Sequence, residues 1–297
     1  MGVRVQRIFI ITILVFLALS LIPLTENAYL LSFLQDFFCL LTLTTGWAVF
    51  SGLTGYTSLA TAAFFGIGAY TSVFFPFVLP LRIVVSGLVS VVAALPIALL
   101  TLRLRGLHFI VLSFVYNIFL QHFFSFVIFA ERETSGILIP VISSGLSYYY
   151  LLAISLIALL TSLVIHRSFW GYALLCIGQD EIKAESIGIN TTFYKVITFL
   201  ITAFFAGAVG SIRVLRMFYI EPSIAFSLRY SFEPVIAAIM GGVTTFLGPI
   251  VGTAIIQIIS RLLIFNFPEY YFLILGILLV VFICYRPRGI FGTQRFS

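Results

Sequence analysis

The chain has 297 residues, of which 62% are hydrophobic and 9% are charged, and its mean hydropathy is +1.20. Soluble domains keep roughly a quarter of their residues charged, so this composition excludes a soluble protein and leaves no room for a sizeable soluble domain. The formal net charge of +6 comes from basic residues in short loops beside apolar segments, where they orient membrane proteins, and it does not indicate a nucleic-acid partner.

Apolar segments long enough to cross a bilayer, which takes about 20 helical residues, recur along the whole chain. They predict an all-α, multi-pass membrane protein with about ten transmembrane helices, some of them short or broken, in a single domain over residues 1–297. The first segment lacks a convincing cleavage site, so we expect a retained helix rather than a signal peptide. The segments cover residues 8–24, 30–50, 56–79, 83–102, 107–129, 148–166, 195–218, 233–247, 249–265 and 269–285.

The stretch from Gly52 to Tyr70, GLTGYTSLATAAFFGIGAY, is rich in small and hydroxyl-bearing residues. Small residues allow close helix packing within a membrane, but Gly-interrupted apolar segments also mark substrate sites in transporters. The sequence leaves both interpretations open. The second one predicts a bent entry into a helix, with a substrate path along Gly52, Thr54, Gly55, Thr57, Ser58 and Thr61.

Two side-chain amides lie one helical turn apart in the fifth apolar segment. Asn117 and Gln121 have the spacing that puts both on one face of a helix. Polar side chains inside a membrane need a partner or an aqueous cavity. These residues therefore predict either a further part of the substrate path or a hydrogen bond between helices.

Residues 167–195 form the longest loop on the predicted cytoplasmic side. Asp180 and Glu181 stand where a short helix would begin, and Gly188 followed by Asn190 predicts its end. A capped, charged helix at the membrane surface predicts a docking site for a cytoplasmic partner, and a solvated connection would have the same pattern.

The sequence GGVTTFLGPIVG, residues 241–252, interrupts the last long apolar region. Gly241, Gly242, Gly248 and Pro249 predict a break between two short helices, and they form the second half of the predicted substrate path. With this break and ten crossings, the basic loops share one side, and both termini are predicted to be cytoplasmic. The basic residues behind this orientation are Arg4, Arg7, Arg103, Arg105, Arg167, Lys183, Lys195, Arg286, Arg288 and Arg295.

The sequence lacks the patterns of a membrane enzyme. No GxSxG or HExxH motif occurs, and a P-loop is excluded because neither Lys183 nor Lys195 follows a glycine. His108 and His122 would lie about 21 Å apart along one helix, too far to share a metal. We therefore predict no catalytic residue, no metal site and no cofactor in this chain, so that any ATP and Mg²⁺ would be used by other subunits.

Five motifs follow one another along the chain. They are GLTGYTSLATAAFFGIGAY, LRLRGLHF at 102–109, GYALLCIGQDEIKAESIGINTTFYK at 171–195, GGVTTFLGPIVG and RPRGIFG at 286–292. In this order they resemble the permease subunits of ABC importers for branched-chain amino acids, especially the M-type partner of the two-permease pair. The chain has Thr61 where the family often has His, so the resemblance does not exclude other small substrates.

The resemblance implies a permease subunit that moves branched-chain or other small hydrophobic amino acids across the cytoplasmic membrane. It implies a second permease chain in a heterodimer, two cytoplasmic ATPase subunits that use ATP and Mg²⁺, and an extracytoplasmic substrate-binding protein. It also implies a coupling helix within residues 167–195, whose contacts with the ATPase would come from Asp180, Glu181, Lys183, Glu185 and Gly188.

Two other functions fit the same sequence. One is an ABC permease for urea or short amides, and the other is a stand-alone secondary transporter or channel. A proton- or sodium-coupled carrier often needs a ladder of acidic residues through its spans, and the apolar segments show none. This absence favours the ABC importer.

Overall fold

A computed structural model describes residues 3–25, 27–101, 106–285 and 289–291. Arg103, Arg105, Arg286, Arg288 and Arg295 of the predicted basic loops lie outside these ranges. The described chain is almost entirely helical, as predicted. Its helices are α1 Val3–Leu19, α2 Ala28–Trp47, α3 Thr61–Phe74, α4 Leu79–Thr101, α5 Leu107–Arg132, α6 Ser144–Arg167, α7 Phe169–Gln179, α8 Glu181–Ser186, α9 Thr191–Val214, α10 Pro222–Ala225, α11 Arg229–Gly241, α12 Gly248–Asn266 and α13 Tyr271–Tyr285.

Short elements complete the architecture. A 3₁₀ turn, Ile22–Thr25, follows α1, and α2 continues into a π-helical turn, Ala48–Gly52. The strands β1 Ile137–Leu138 and β2 Tyr219–Ile220 pair antiparallel, with Ile137 opposite Ile220. This small ladder joins the connection before α6 to the connection after α9.

Helix length and composition identify a multi-pass membrane protein. Each of the ten predicted apolar segments contains a helix, and two shorter apolar helices, Thr61–Phe74 and Tyr271–Phe282, accompany the long ones. The number of crossings and the side of each terminus stay predictions. Among the described residues, six helices are long and apolar enough to cross a bilayer, namely Ala28–Gly52, Leu79–Leu100, Leu107–Ala130, Ser144–Arg167, Thr191–Val214 and Gly248–Asn266.

Helix α9 lies at the centre of the bundle and packs against α2, α3, α4 and α6. Phe199 on α9 contacts three aromatic rings, with centroid distances of 5.1 Å to Phe50, 5.3 Å to Phe64 and 6.2 Å to Phe109. Edge-to-face pairs of this kind stabilise a core beyond simple burial. These rings come from the π-helical turn after α2, from α3 and from α5, so the Phe199 side chain joins α9 to all three.

The outer surface is apolar, as a lipid-facing surface must be. Helix α5 exposes Val111, Val115, Phe119 and Phe126, which recur on one side of the helix. Contiguous apolar faces of this kind are unstable in water and are covered by a bilayer or by another membrane chain.

Two differences from the sequence predictions have local reasons. The third apolar segment was predicted from residue 56, but α3 begins at Thr61 because residues 55–60 form an irregular, non-helical segment that starts at Gly55 with a φ of +76°. Lys195 was predicted in a loop, but it lies in the second turn of α9. The Asn190 side chain accepts the Phe193 N–H at 3.1 Å, so Asn190 caps the start of α9 rather than ending the preceding helix.

Candidate functional site

The irregular segment 55–60 is the first part of the candidate site. Its backbone groups bond to side chains of neighbouring elements. The Trp47 indole N–H donates to the Ser58 carbonyl at 2.8 Å, and the Leu59 N–H donates to the Ser113 hydroxyl at 3.0 Å. Non-helical backbone at membrane depth is tolerated only where it is buried in protein or lines a water-filled cavity. These bonds therefore hold an unwound segment inside the bundle.

The N-terminal ends of two short helices, α3 and α11, meet beside this segment. Ser231, in the first turn of α11, accepts the Ala62 N–H at 3.0 Å and donates to the Leu59 carbonyl at 2.7 Å. A helix N-terminus carries a partial positive charge, and half-helix ends of this kind face anionic substrate groups in transporters. The arrangement can stabilise negative charge through backbone dipoles.

A small cavity, called the first cavity here, lies between α2, α3 and α9. Two residues of the predicted path, Ser58 and Thr61, line it together with Ser51 and Thr202. Its volume of about 10 Å³ gives room for about one water molecule. The helices therefore pack closely around this cavity, which is lined by hydroxyl groups.

The other residues of the first predicted stretch have local partners. The Thr54 hydroxyl donates to the Phe50 carbonyl at 2.7 Å and accepts the Tyr56 N–H at 3.2 Å. Gly55 has a φ of +76° at the point where the helical turn ends, and Thr57 is half-buried. Thr54 ends the helical turn, and Gly55 and Thr57 lie in the irregular segment that follows, whereas Ser58 and Thr61 line the cavity.

The two predicted glycine-rich breaks are in contact with each other. A Cβ atom at Gly52 would overlap the carbonyl oxygen of Val243, so only glycine permits this approach. Gly241 and Gly248 face one another in the same way across the turn between α11 and α12, which also contains Gly242 and Pro249. Gly52, Gly241, Gly242, Gly248 and Pro249 thus lie in a packed junction and do not line the first cavity.

The terminal motif also reaches this junction. The N–H of Ile290 donates to the Met240 carbonyl at 2.9 Å, and the N–H of Phe291 donates to the Gly241 carbonyl at 3.1 Å. These carbonyls belong to the last turn of α11 and have no partner within the helix. The described part of the RPRGIFG motif therefore caps α11.

The two amide side chains of α5, Asn117 and Gln121, differ in burial. Asn117 is buried and donates through Nδ2 to the Phe226 carbonyl at 3.1 Å, while Gln121 is half-buried. Neither residue lines the first cavity. This bond joins α5 to the residue after α10, but the buried Oδ1 of Asn117 has no hydrogen-bond partner among the described residues, so both predicted roles stay open.

The segment α7–α8, residues 169–186, ends in the short charged helix predicted from the sequence. Asp180 caps α8, because its Oδ1 accepts the N–H groups of Ile182 and Lys183 at 3.1 and 3.2 Å. These hydrogen bonds lower the pKa of Asp180. Gly188 has a φ of +87°, a conformation that favours glycine after a helix end.

Glu181 connects α8 to the first predicted stretch and to α9. Its Oε2 accepts a 2.6 Å hydrogen bond from the Tyr56 hydroxyl, and its Oε1 pairs with the ammonium of Lys195. The Lys195 ammonium also donates to the Tyr56 hydroxyl at 3.3 Å. Desolvation opposes ionisation of Glu181, but the hydrogen bonds from Lys195 and Tyr56 outweigh it and lower the pKa of this carboxyl.

The remaining predicted residues of α8 divide between an inner and an outer face. Glu185 accepts a 2.7 Å hydrogen bond from Thr191, so it also faces α9. Lys183 is exposed and pairs with Asp180 at 3.3 Å. Ile182 and Ile187 are 64% and 71% exposed. An exposed pair of isoleucines beside charged residues is typical of a protein interaction surface.

Sequence reasoning missed a cluster of ion pairs at the other end of α9. Asp36 contacts Arg213 at 2.8 Å and Arg216 at 2.9 Å, and Arg229 contacts Glu233 at 2.9 Å. The only sequence signals are the helical spacings of Arg213 and Arg216 and of Arg229 and Glu233. Arg213 and Arg216 follow Asp36 by 177 and 180 residues in the chain, so no local pattern identifies them as its partners.

Comparison with known proteins adds the evolutionary relationship. The family described as "Branched-chain amino acid transport system / permease component" matches residues 29–283. Two relatives, from Salmonella typhimurium and Escherichia coli, are each named "High-affinity branched-chain amino acid transport system permease protein LivM" and are 31% identical to this chain over 156 residues. That alignment covers 52% of this chain and 36% of each relative. No solved structure matches the chain.

Proposed function

This chain belongs to the family of branched-chain amino acid transport permease components, and we propose that it is the membrane subunit of an ATP-driven ABC importer. The substrate would be a branched-chain or other small hydrophobic amino acid, and the location would be the cytoplasmic membrane. Family membership supports the transport role. The observation that carries the coupling role is the contact of Glu181 on α8 with both Tyr56 and Lys195.

ATP would be bound and hydrolysed by separate subunits, because the sequence has no P-loop. In this proposal α8 lies on the cytoplasmic side and docks on an ATPase through its outer face, where Ile182, Lys183 and Ile187 are exposed. Two such ATPases would bind one copy of this chain and a second, different permease chain. An extracytoplasmic binding protein would deliver the substrate at the opposite end.

Movement of α8 would reach the interior by two routes. The Tyr56 hydroxyl links α8 to the irregular segment that lines the first cavity, and Lys195 links α8 to α9. Because α9 packs against α2, α3 and α4, a shift of the Glu181 carboxylate would displace the walls of that cavity. Ser58 and Thr61 would then face an open path, and the adjoining helix N-termini would stabilise the substrate carboxylate.

Reconstitution tests the proposal directly. The chain is co-expressed with a candidate second permease, ATPase and binding protein from the same organism, and uptake of radiolabelled L-leucine into proteoliposomes is measured with ATP. Uptake that needs ATP, the ATPase and the binding protein is expected. Uptake by this chain alone would identify a carrier or channel instead, and uptake of urea or a short amide without leucine would overturn the proposed substrate.

A further inference from the structure

Five charged side chains gather in the half of the bundle opposite α8. Asp36 lies 16 residues before Gly52 on α2, which places it about 24 Å from that end along the helix axis. Asp36 bridges α2 to Arg213 and Arg216 at the end of α9. Arg229 and Glu233 lie on the first turns of α11. Charged groups inside a membrane protein are costly and mark functional sites by default.

Four of these charged residues line a second cavity, called the charged cavity here. Asp36, Arg213, Arg229 and Glu233 surround it together with Tyr230 and Gln257. Arg216 contacts Asp36 but is not part of the lining. The volume of about 30 Å³ admits a few water molecules. An amino acid would enter only after the walls separate, so the structure has this site closed.

The charges of the cluster do not cancel. Three arginines, Arg213, Arg216 and Arg229, face two carboxylates, Asp36 and Glu233, which gives a net charge of 3 − 2 = +1. The N-terminal end of α11, where Arg229 lies, adds a partial positive charge. The cluster therefore favours a ligand that carries an anionic group.

The cluster also presents acceptors for a cationic group. Glu233 is 3% exposed, and its Oε1 accepts hydrogen bonds from Arg229, Ser260 and Tyr271. The carboxylates of Glu233 and Asp36 are the anionic acceptors in the lining of the charged cavity, and either can receive a hydrogen bond from a ligand ammonium.

The charged cavity adjoins the first cavity. Leu43 on α2 lines both of them, so this apolar side chain borders the cavity of the charged groups and the cavity of Ser58 and Thr61. A ligand with a charged head and an apolar tail could pass from one to the other when Leu43 moves.

We infer that the charged cavity is a binding site for the zwitterionic head of an α-amino acid, with the carboxylate between Arg213 and Arg229 and the ammonium at Glu233 and Asp36. This inference rests on the proposed transport function and goes beyond it, since it assigns the residues that recognise the substrate. Arg216 would hold Asp36 in position without touching the substrate.

Arg213 and Arg216 provide a matched pair for the test, because each replacement leaves Asp36 with one arginine. Binding of radiolabelled L-leucine is measured on the purified permease–ATPase complex in nanodiscs, without the binding protein. L-leucinamide, which keeps the ammonium but lacks the carboxylate, is the competitor. Loss of a hydrogen bond to a charged group should weaken leucine binding roughly 10- to 100-fold in Arg213→Gln. Arg216→Gln removes a charge near the site but no contact with the substrate, so it should weaken binding much less.

The preference for leucine over leucinamide separates recognition from structural damage. It should fall roughly tenfold in Arg213→Gln, since only leucine has the carboxylate. A folding defect would weaken both ligands equally and leave the preference unchanged. If Arg213→Gln does not assemble, Arg213→Lys keeps the charge but loses the bidentate geometry, and the same preference is measured.

The outcomes distinguish this inference from the proposed function. Equal effects of Arg213→Gln and Arg216→Gln, or an unchanged preference, would overturn the inference while leucine transport by the wild-type complex still supports the permease. If the wild-type complex carries no leucine with ATP, the proposed function fails and the inference fails with it. If only Arg213→Gln loses the preference for leucine over leucinamide, the result supports both the inference and the proposed function.

Discussion

The hydroxyl of Tyr56 donates a 2.6 Å hydrogen bond to the carboxylate of Glu181, although 125 residues separate them in the chain. Tyr56 belongs to the irregular segment 55–60, and Glu181 begins α8. Lys195 lies over the Tyr56 ring, 4.6 Å from its centroid, and pairs with the same carboxylate. The three side chains connect a surface helix to the segment that lines the first cavity, and this connection makes the coupling proposal testable.

Tyr56→Phe should uncouple transport while leaving the complex assembled. The change removes only the hydroxyl, and loss of a hydrogen bond to a charged group is worth about 1.5–3 kcal/mol. We expect ATP-dependent leucine uptake to fall roughly tenfold, with basal ATP hydrolysis retained. Tyr172→Phe is the control, because Tyr172 on α7 is 63% exposed. Equal uptake by the two variants would refute the coupling role of this hydroxyl.

Lys195→Met should destabilise the protein, because it leaves the Glu181 carboxylate without its cation. The side chains of Lys195 and Glu181 are 2% and 9% exposed, and breaking a buried ion pair costs about 3 kcal/mol. Thermal unfolding in detergent should show a clear fall in Tm, and adding Glu181→Gln should restore part of it. Lys183→Met is the control, since the Lys183 side chain is 85% exposed and a surface pair contributes about 0–1 kcal/mol. If Lys183→Met lowers the Tm as much as Lys195→Met does, the buried ion pair does not provide this stability.

The contribution of Glu181 to stability should depend on pH. The pKa of this carboxyl is lowered in the folded protein, so the folded state favours its ionised form. The stabilisation is complete above the ordinary glutamate pKa, about 4.3, and is lost as the pH falls through the folded pKa. The difference in Tm between wild type and Glu181→Gln should therefore be constant near neutral pH and shrink under acid conditions. If this Tm difference grows as the pH falls, the pKa of Glu181 is raised in the folded protein rather than lowered.

Gly52→Ala should loosen the junction between the two glycine-rich breaks. The added methyl group would overlap the Val243 carbonyl, and overpacking of this kind costs about 1–3 kcal/mol. Gly145→Ala provides the comparison, because a Cβ there meets no atom within 4 Å. We expect a lower Tm for the first variant and an unchanged Tm for the second. If Gly52→Ala is as stable as wild type, Val243 can move away and the junction is not rigid.

Much of the local structure was predictable from the sequence. Hydropathy predicted the helical segments, Asp180 and Gly188 predicted the limits of α8, and the motif order predicted the family. These features depend on residues close together in the chain, where hydrophobic periodicity and capping act directly. The roles of the individual site residues stay predictions.

The sequence by itself determined a multi-pass helical protein of the branched-chain amino acid permease family, because apolar length and motif order are properties of the chain alone. Only the tertiary structure decided that Tyr56 meets Glu181, that Asp36 meets Arg213, and that an irregular segment precedes α3, which begins at Thr61. Each of these relationships depends on a hydrogen bond or ion pair between distant segments. Helix packing selects such pairs, and no local pattern encodes which distant partner will satisfy a buried polar group.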